Sequence, residues 1–189
     1  PLKLSATFNS NKASSSNKDT ATASVSSDAS EGVYDITVKE TARTHRLGST
    51  KKIDQEALLT DELTNLTDVS GNIIFNESQD NEAIISVTND DTLSSLADKI
   101  NEADAGVSAS IVDGHLVLES KETGEENSIN INDNTNGLMT ELGFSGDLND
   151  INNNAVLQTA NDAIIEINGI SNITSSTNEF SDAVEGVTF

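Results

Sequence analysis

The sequence has no cysteine and no tryptophan, a single proline, and only 10 lysines and arginines against 32 aspartates and glutamates. Without cysteine there are no disulfides, no thiolate metal sites and no cysteine nucleophile. Aromatic residues make up 3% of the chain, and one tyrosine and five phenylalanines must also supply the core, so the stacking platform of a glycan reader is missing. The formal net charge of -22 repels phosphate backbones and anionic lipid surfaces, which excludes nucleic acid as a partner class. No run of about eighteen apolar residues occurs, so membrane insertion is not expected. The first residues carry neither an initiator Met nor a signal-like apolar core, and the chain reads as a piece of a longer protein.

What is present is a succession of short periodic elements. Residues 1–19 are rich in Ser, Asn and Lys and read as a flexible lead-in, with an edge strand near 20–26. In "GVYDITVKETA", Tyr34, Ile36 and Val38 alternate with Asp35, Thr37 and Lys39, the period of a half-buried strand. Leu58, Leu59, Leu63 and Leu66 allow short helical turns before Gly71. "NIIFN" and "EAIISVT" read as a hairpin, the second placing Ala83, Ile85 and Val87 on one face.

The best-specified stretch runs from Asp91 to Gly124. Leu93, Leu96, Ala97, Ile100 and Ala103 recur at helical spacing, so a helix is expected over 92–104, capped by Asp91 or Thr92 and closed by Gly106 at the left-handed C′ position. Val107, Ala109 and Ile111 then alternate, Asp113-Gly114 suits a type I′ turn, and "HLVLES" returns as the second strand. "NSININ" predicts a further strand and "NGLMTELG" a short helix closed by Gly143. The tail predicts strands at 163–167 and 170–174 around an Asn168-Gly169 turn, a short helix near 178–184 capped by Thr177 or Asn178, and a final strand. The fold class is α+β and β-rich, with antiparallel strands and short helices.

Candidate chemistry is sparse. "NDNTNG" sets Asn132, Asn134 and Asn136 at the odd positions of a calcium loop, with Gly137 following. However, the twelfth position is Gly143 where a bidentate Glu is required, so a polar turn is the better reading. His45 and His115 sit in separate strand-like runs without the local pairing of a zinc site, and each reads as a surface or satisfied histidine. No G-x-S-x-G elbow, dinucleotide fingerprint or phosphate loop occurs. The pairs Asp61-Glu62, Asp90-Asp91 and Glu125-Glu126 read as solvated faces. The N-x-[ST] triplets at Asn65, Asn76 and Asn172 are what a chain rich in Asn, Ser and Thr produces by chance. No catalytic, metal or cofactor residue is assigned, no cofactor is expected, and the binding residues are not legible.

"TLSSLADKINEADAGVSASIVDGHLVLESKETGEENSI", Thr92 to Ile129, resembles the insertion motif shared by flagellar hook-associated proteins and some flagellins. "ASEGVYDITVKETARTHRLGS" and "DAIIEINGISNITSSTNEFSDAVEGVTF" resemble two segments of the filament cap family, hook-associated protein 2, in that family's order. Thr41 departs from the Leu common there. The resemblance implies a non-enzymatic head region made of a discontinuous domain, 20–57 plus 156–189, with a second domain, 58–155, inserted into it. It further implies a secreted, extracellular location at the flagellum tip and a ring-like homo-oligomer that assists flagellin insertion. Coiled-coil stalk segments would lie outside both ends, and the outward head could contact host mucin or a cell-surface receptor. The alternatives are the insertion domain of a flagellin or hook-filament junction protein and, in another class, an extracellular calcium- or glycan-binding adhesin module.

The charge yields a first prediction. Identical chains at formal charge -22 repel over about 10 Å at 0.1 M salt, and the resemblance assigns the main packing helices to segments outside this one. This chain should therefore sediment as a monomer at micromolar concentration in low salt, with added salt promoting any association. A tight oligomer that loosens as salt rises would contradict this.

Overall fold

The computed structural model describes residues 11–189, which divide into two compact units, residues 11–42 with 162–189 and residues 43–161. In chain order the first elements are β1 (Ser24–Val25), β2 (Ile36–Glu40), β3 (Arg46–Gly48), α1 (Leu59–Glu62), β4 (Gly71–Phe75) and β5 (Ala83–Val87). Then come α2 (Leu93–Glu102), β6 (Val107–Val112), β7 (His115–Ser120), β8 (Ile131–Asn134) and α3 (Leu138–Leu142). The last are β9 (Val156–Gln158), β10 (Ala163–Ile167), β11 (Ile170–Ser175) and β12 (Val187–Thr188). All strand pairing is antiparallel, as the α+β, β-rich reading expects. No helix among the described residues is long and apolar enough to cross a membrane.

The discontinuous unit is a three-stranded sheet ordered β11-β10-β2, with β1 paired to β12. The alternating Ile165 and Ile167 of β10 turn inward with Ala163, and Phe180 closes that core, packed by Tyr34, Ile36, Val38 and Phe189. Asn168 and Gly169 both take positive φ between β10 and β11, as a type I′ turn requires. The helix expected near 178–184 does not form. Phe180 and Phe189 instead exchange backbone hydrogen bonds at 3.0 and 3.1 Å, while the Asn178 amide bonds the Ala42 backbone. Long-range pairing of a buried aromatic residue outweighs a weak local helix signal. The expected lead-in 1–19 lies partly outside the described residues. Asn11, within them, donates to the carbonyls of Ser26, Ser27 and Ala29, so its side chain is tied rather than free.

The continuous unit holds two sheets, β6-β7-β3-β9 and β5-β4-β8, around one core that includes Leu47, Ile73, Phe75, Leu96, Ile100, Leu116, Leu118 and Leu142. Its boundaries differ from the expected 57/58 and 155/156: the division falls at 42/43 and 161/162. The reason is β3, whose Leu47 pairs with Leu118 and with Val156, drawing the chain on both sides of the expected insertion into this unit. The helix before the hairpin also ends earlier than expected. Ala103 is its C-cap and Asp104, not Gly106, takes the first left-handed position, at φ 51°. Asp tolerates that conformation through its short polar side chain, and Gly106 turns the chain two residues later.

The second prediction concerns this unit. Residues 43–161 carry a core and both sheets of their own, so expressed alone they should give a single cooperative unfolding transition and a dispersed amide spectrum. Absence of both would show that the unit depends on the rest of the chain.

Candidate functional site

The stretch from Asp91 to Gly124 begins at a buried carboxylate. Asp91 is 5% exposed and accepts hydrogen bonds from the Thr88 backbone N–H (2.8 Å), Ser95 Oγ (2.7 Å) and Lys99 Nζ (2.6 Å). Burial pushes its pKa up, but the Lys99, Ser95 and Thr88 donors together outweigh this and hold it below the usual carboxylate range. Thr92 Oγ1 accepts from the Ser95 N–H and Ser95 Oγ accepts from the Thr92 N–H, a reciprocal cap that fixes where α2 begins. Leu93, Leu96, Ala97 and Ile100 then form one buried stripe, while Asp98 and Glu102 face water. Asp113 and Gly114 hold φ of 50° and 77° in the two-residue turn joining Val112 to His115.

A second polar node sits on His45, which is fully buried. Its Nδ1 accepts from the Ile129 N–H and its Nε2 donates to the Leu148 carbonyl, each at 2.9 Å, so the network selects the neutral ring protonated on Nε2. Desolvation pushes its pKa down, with the Leu148 carbonyl opposing. The His45 backbone N–H donates to Ser120 Oγ, and the Ser120 N–H returns a bond to the His45 carbonyl. One residue thereby joins the entry to β3, the end of β7, the approach to β8 and the loop before β9. Asn76, also buried, links the Ala105 carbonyl to the Asn130 N–H in the same manner. Sequence marks Asn76 only as a sequon residue and Ser120 not at all, because nothing local separates their buried roles from those of the many exposed Asn and Ser residues.

The remaining sequence candidates do not converge. His115 Nδ1 lies 2.7 Å from the Ser49 carbonyl, a backbone contact separate from the His45 node. Asn132 bonds Glu77 and Asn136 bonds the Asp68 carbonyl, while the Asp133 carboxylate accepts the Met139 N–H at the start of α3. The calcium-like residues are thus the end of β8 and the turn that leads into α3. Among the described residues no three metal-capable side chains form a group. Asp90, Asp61, Glu125 and Glu126 are exposed, as solvated faces should be, but the reading fails for their neighbours: Asp91 is drawn inside by its Thr88, Ser95 and Lys99 donors, and half-buried Glu62 accepts the Asp54 N–H. Of the sequon residues, buried Asn76 is committed to its own network and Asn65 donates to Glu141. Several of the scarce cations besides Lys99 are also engaged: Lys39 pairs with Glu166, Arg46 with Glu119, Lys51 with Glu141, Lys52 with Asp113 and Lys121 with Asp104. The arrangement is one of mutual support among these side chains.

Two family models match the chain: flagellar hook-associated protein 2 N-terminus over residues 1–45, and flagellin hook IN motif over residues 66–122. The solved D2-D3 domains of the flagellar cap protein FliD from Serratia marcescens are 31% identical, with a TM-score of 0.70, covering 88% of this chain and 89% of that one. The chain belongs to the flagellar cap protein family. The D2-D3 domains of the Escherichia coli cap protein are 26% identical at a TM-score of 0.72, again over 88% of this chain and 84% of that one. Against the longer E. coli D1-D2-D3 fragment the identity is 27% and the TM-score 0.71, but this chain spans 47% of it. A search of curated protein sequences found no match.

Within the cap family the flagellin hook IN motif takes on a structural meaning. Its match begins at Leu66 and ends at Glu122, so it includes the β4–β5 hairpin as well as α2 and the β6–β7 hairpin. The resemblance read from sequence began only at Thr92, because the upstream hairpin is a generic alternating pattern. The departure at Thr41 removes nothing from the core, since that position is exposed.

Proposed function

We propose that this chain is the head of a filament cap that acts sterically: identical subunits close into a ring at the flagellum tip and shelter incoming flagellin while it folds and inserts. Membership of the cap family carries this reading, and the internal polar nodes at Asp91 and His45 support it, because they rigidify the head instead of presenting chemistry. The cap acts outside the cell, and its partners are further copies of itself and flagellin. Contact with host mucin or cell surfaces is not favoured by any observed feature. The exposed large hydrophobic residues among those described, including Ile84, Val112, Leu157 and Ile170, are all aliphatic and offer no aromatic platform.

The test is genetic. Removing the gene from its source bacterium should leave cells that release unpolymerised flagellin and have short or absent filaments. The full-length gene should restore filaments, and a version lacking residues 43–161 should restore them less well. Normal filaments after deletion of the gene would reject the proposal.

A further inference from the structure

β6 is the terminal strand of the β6-β7-β3-β9 sheet, and its sequence, "VSASIV", contains no charged residue in a chain that is 22% charged. An uncharged, β-branched strand at a sheet edge, without Pro or Lys, is the pattern that pairs with another chain. The Gly106 carbonyl accepts from the Lys121 N–H, and Val107, Ser108 and Ala109 stand opposite Ser120, Glu119 and Leu118. In an antiparallel ladder alternate residues exchange both bonds with the partner strand, so Ser108 and Ser110 face β7 while Val107, Ala109 and Ile111 direct their backbone groups to the open side.

At the middle of that open side stands Asn101 of α2. Its Oδ1 accepts the Ala109 N–H at 2.8 Å and its Nδ2 donates to the Ala109 carbonyl at 2.9 Å. One side-chain amide thus occupies both backbone groups of Ala109, the central of the three open-side residues, in the geometry of a peptide unit. No other orientation of the amide satisfies both bonds.

We infer that Asn101 is a plug on the free edge of β6, and that it keeps this uncharged strand from pairing with the β6 of a second copy of the chain. Net charge opposes approach at a distance, whereas the plug acts at contact, where a ladder would otherwise form. A cap head must coexist with many identical heads at a filament tip, so an edge that could pair indiscriminately is a hazard that this contact removes. That last point rests on the proposed function, but the plug itself does not.

The test uses the whole chain and Asn101→Ala, a change that favours α2 because Ala is the better helix former. Hydrogen exchange of the Ala109 amide should accelerate at least about tenfold, with Ser110 and Val117, bonded within the ladder, unchanged. In high salt, which screens the charge, N101A should show concentration-dependent dimers by sedimentation where the parent chain stays monomeric. Adding Ala109→Pro, which removes the exposed N–H, should abolish them. Unchanged exchange at Ala109, a monomeric N101A at every salt concentration, or dimers that persist in the double variant would each overturn the inference. Failure of the cap reading would leave all three measurements untouched.

Discussion

Replacing Leu96 with alanine is expected to destabilise the 43–161 unit by about 2–5 kcal/mol, the range for deleting a fully packed aliphatic side chain. Leu96 has no exposed surface and lies on the buried stripe of α2 with Leu93, Ala97 and Ile100. The helix packs on β6 and β5, so the cavity would open at the centre of the shared core and not at a margin that can collapse. Chemical denaturation of the chain should show the loss as a lower midpoint in the transition of that unit. Asp98→Ala, one helical position away from the core and exposed, should shift it by less than about 0.5 kcal/mol. A loss below about 0.5 kcal/mol for Leu96→Ala would mean that this face of the helix is not core.

The second large effect is expected at His45, and it depends on pH. Because burial lowers the folded-state pKa below the ordinary value of 6.5, the unfolded chain binds a proton that the folded chain refuses. The stabilisation is complete above the ordinary value. It is lost as pH falls from there through the folded pKa, with a slope of at most about 1.4 kcal/mol per pH unit for one proton. The structural reason is specific: a protonated ring would turn Nδ1 into a donor aimed at the Ile129 N–H, itself a donor. Carboxylates whose pKa is lowered, such as Asp91 and Glu119, act in a separate window. Their contribution is present above their ordinary pKa and lost only at more acid pH, below about 4.

His45→Ala removes this titration and leaves the Ile129 N–H and the Leu148 carbonyl without their partner, at about 1–3 kcal/mol for each buried group. The variant should be several kcal/mol less stable at pH 7, and its stability should change less than that of the parent chain between pH 7 and pH 5. An unchanged dependence in that window would place the responsible proton elsewhere.

The elements that were legible in the sequence are those whose signals are local. Leu93, Leu96 and Ile100 mark α2 by spacing, Asp113-Gly114 and Asn168-Gly169 mark two hairpins by the conformation their turns require, and Gly143 ends α3 at φ 103°. What was not legible depends on partners far along the chain. β3 is three residues long, and only its pairing with β7 and β9 reveals that residues 43–57 belong to the continuous unit. The segment 178–184 has a plausible cap and spacing for a helix, yet Phe180 is claimed by the backbone of Phe189. His45 looked like any isolated histidine because Ile129 and Leu148, which fix its tautomer, are distant in sequence. Asn101 likewise reads as an ordinary polar helix residue until Ala109 comes back beside it.

The central claim is that this head belongs to a cap and not to the filament wall, and its location on the organelle tests that most directly. Antibodies raised against residues 43–161, followed by gold labelling of intact flagella from the source bacterium, should mark the distal tip alone. Label distributed along the filament would assign the chain to a wall protein carrying the same insertion motif and contradict the account. Label confined to the hook-filament junction would do the same.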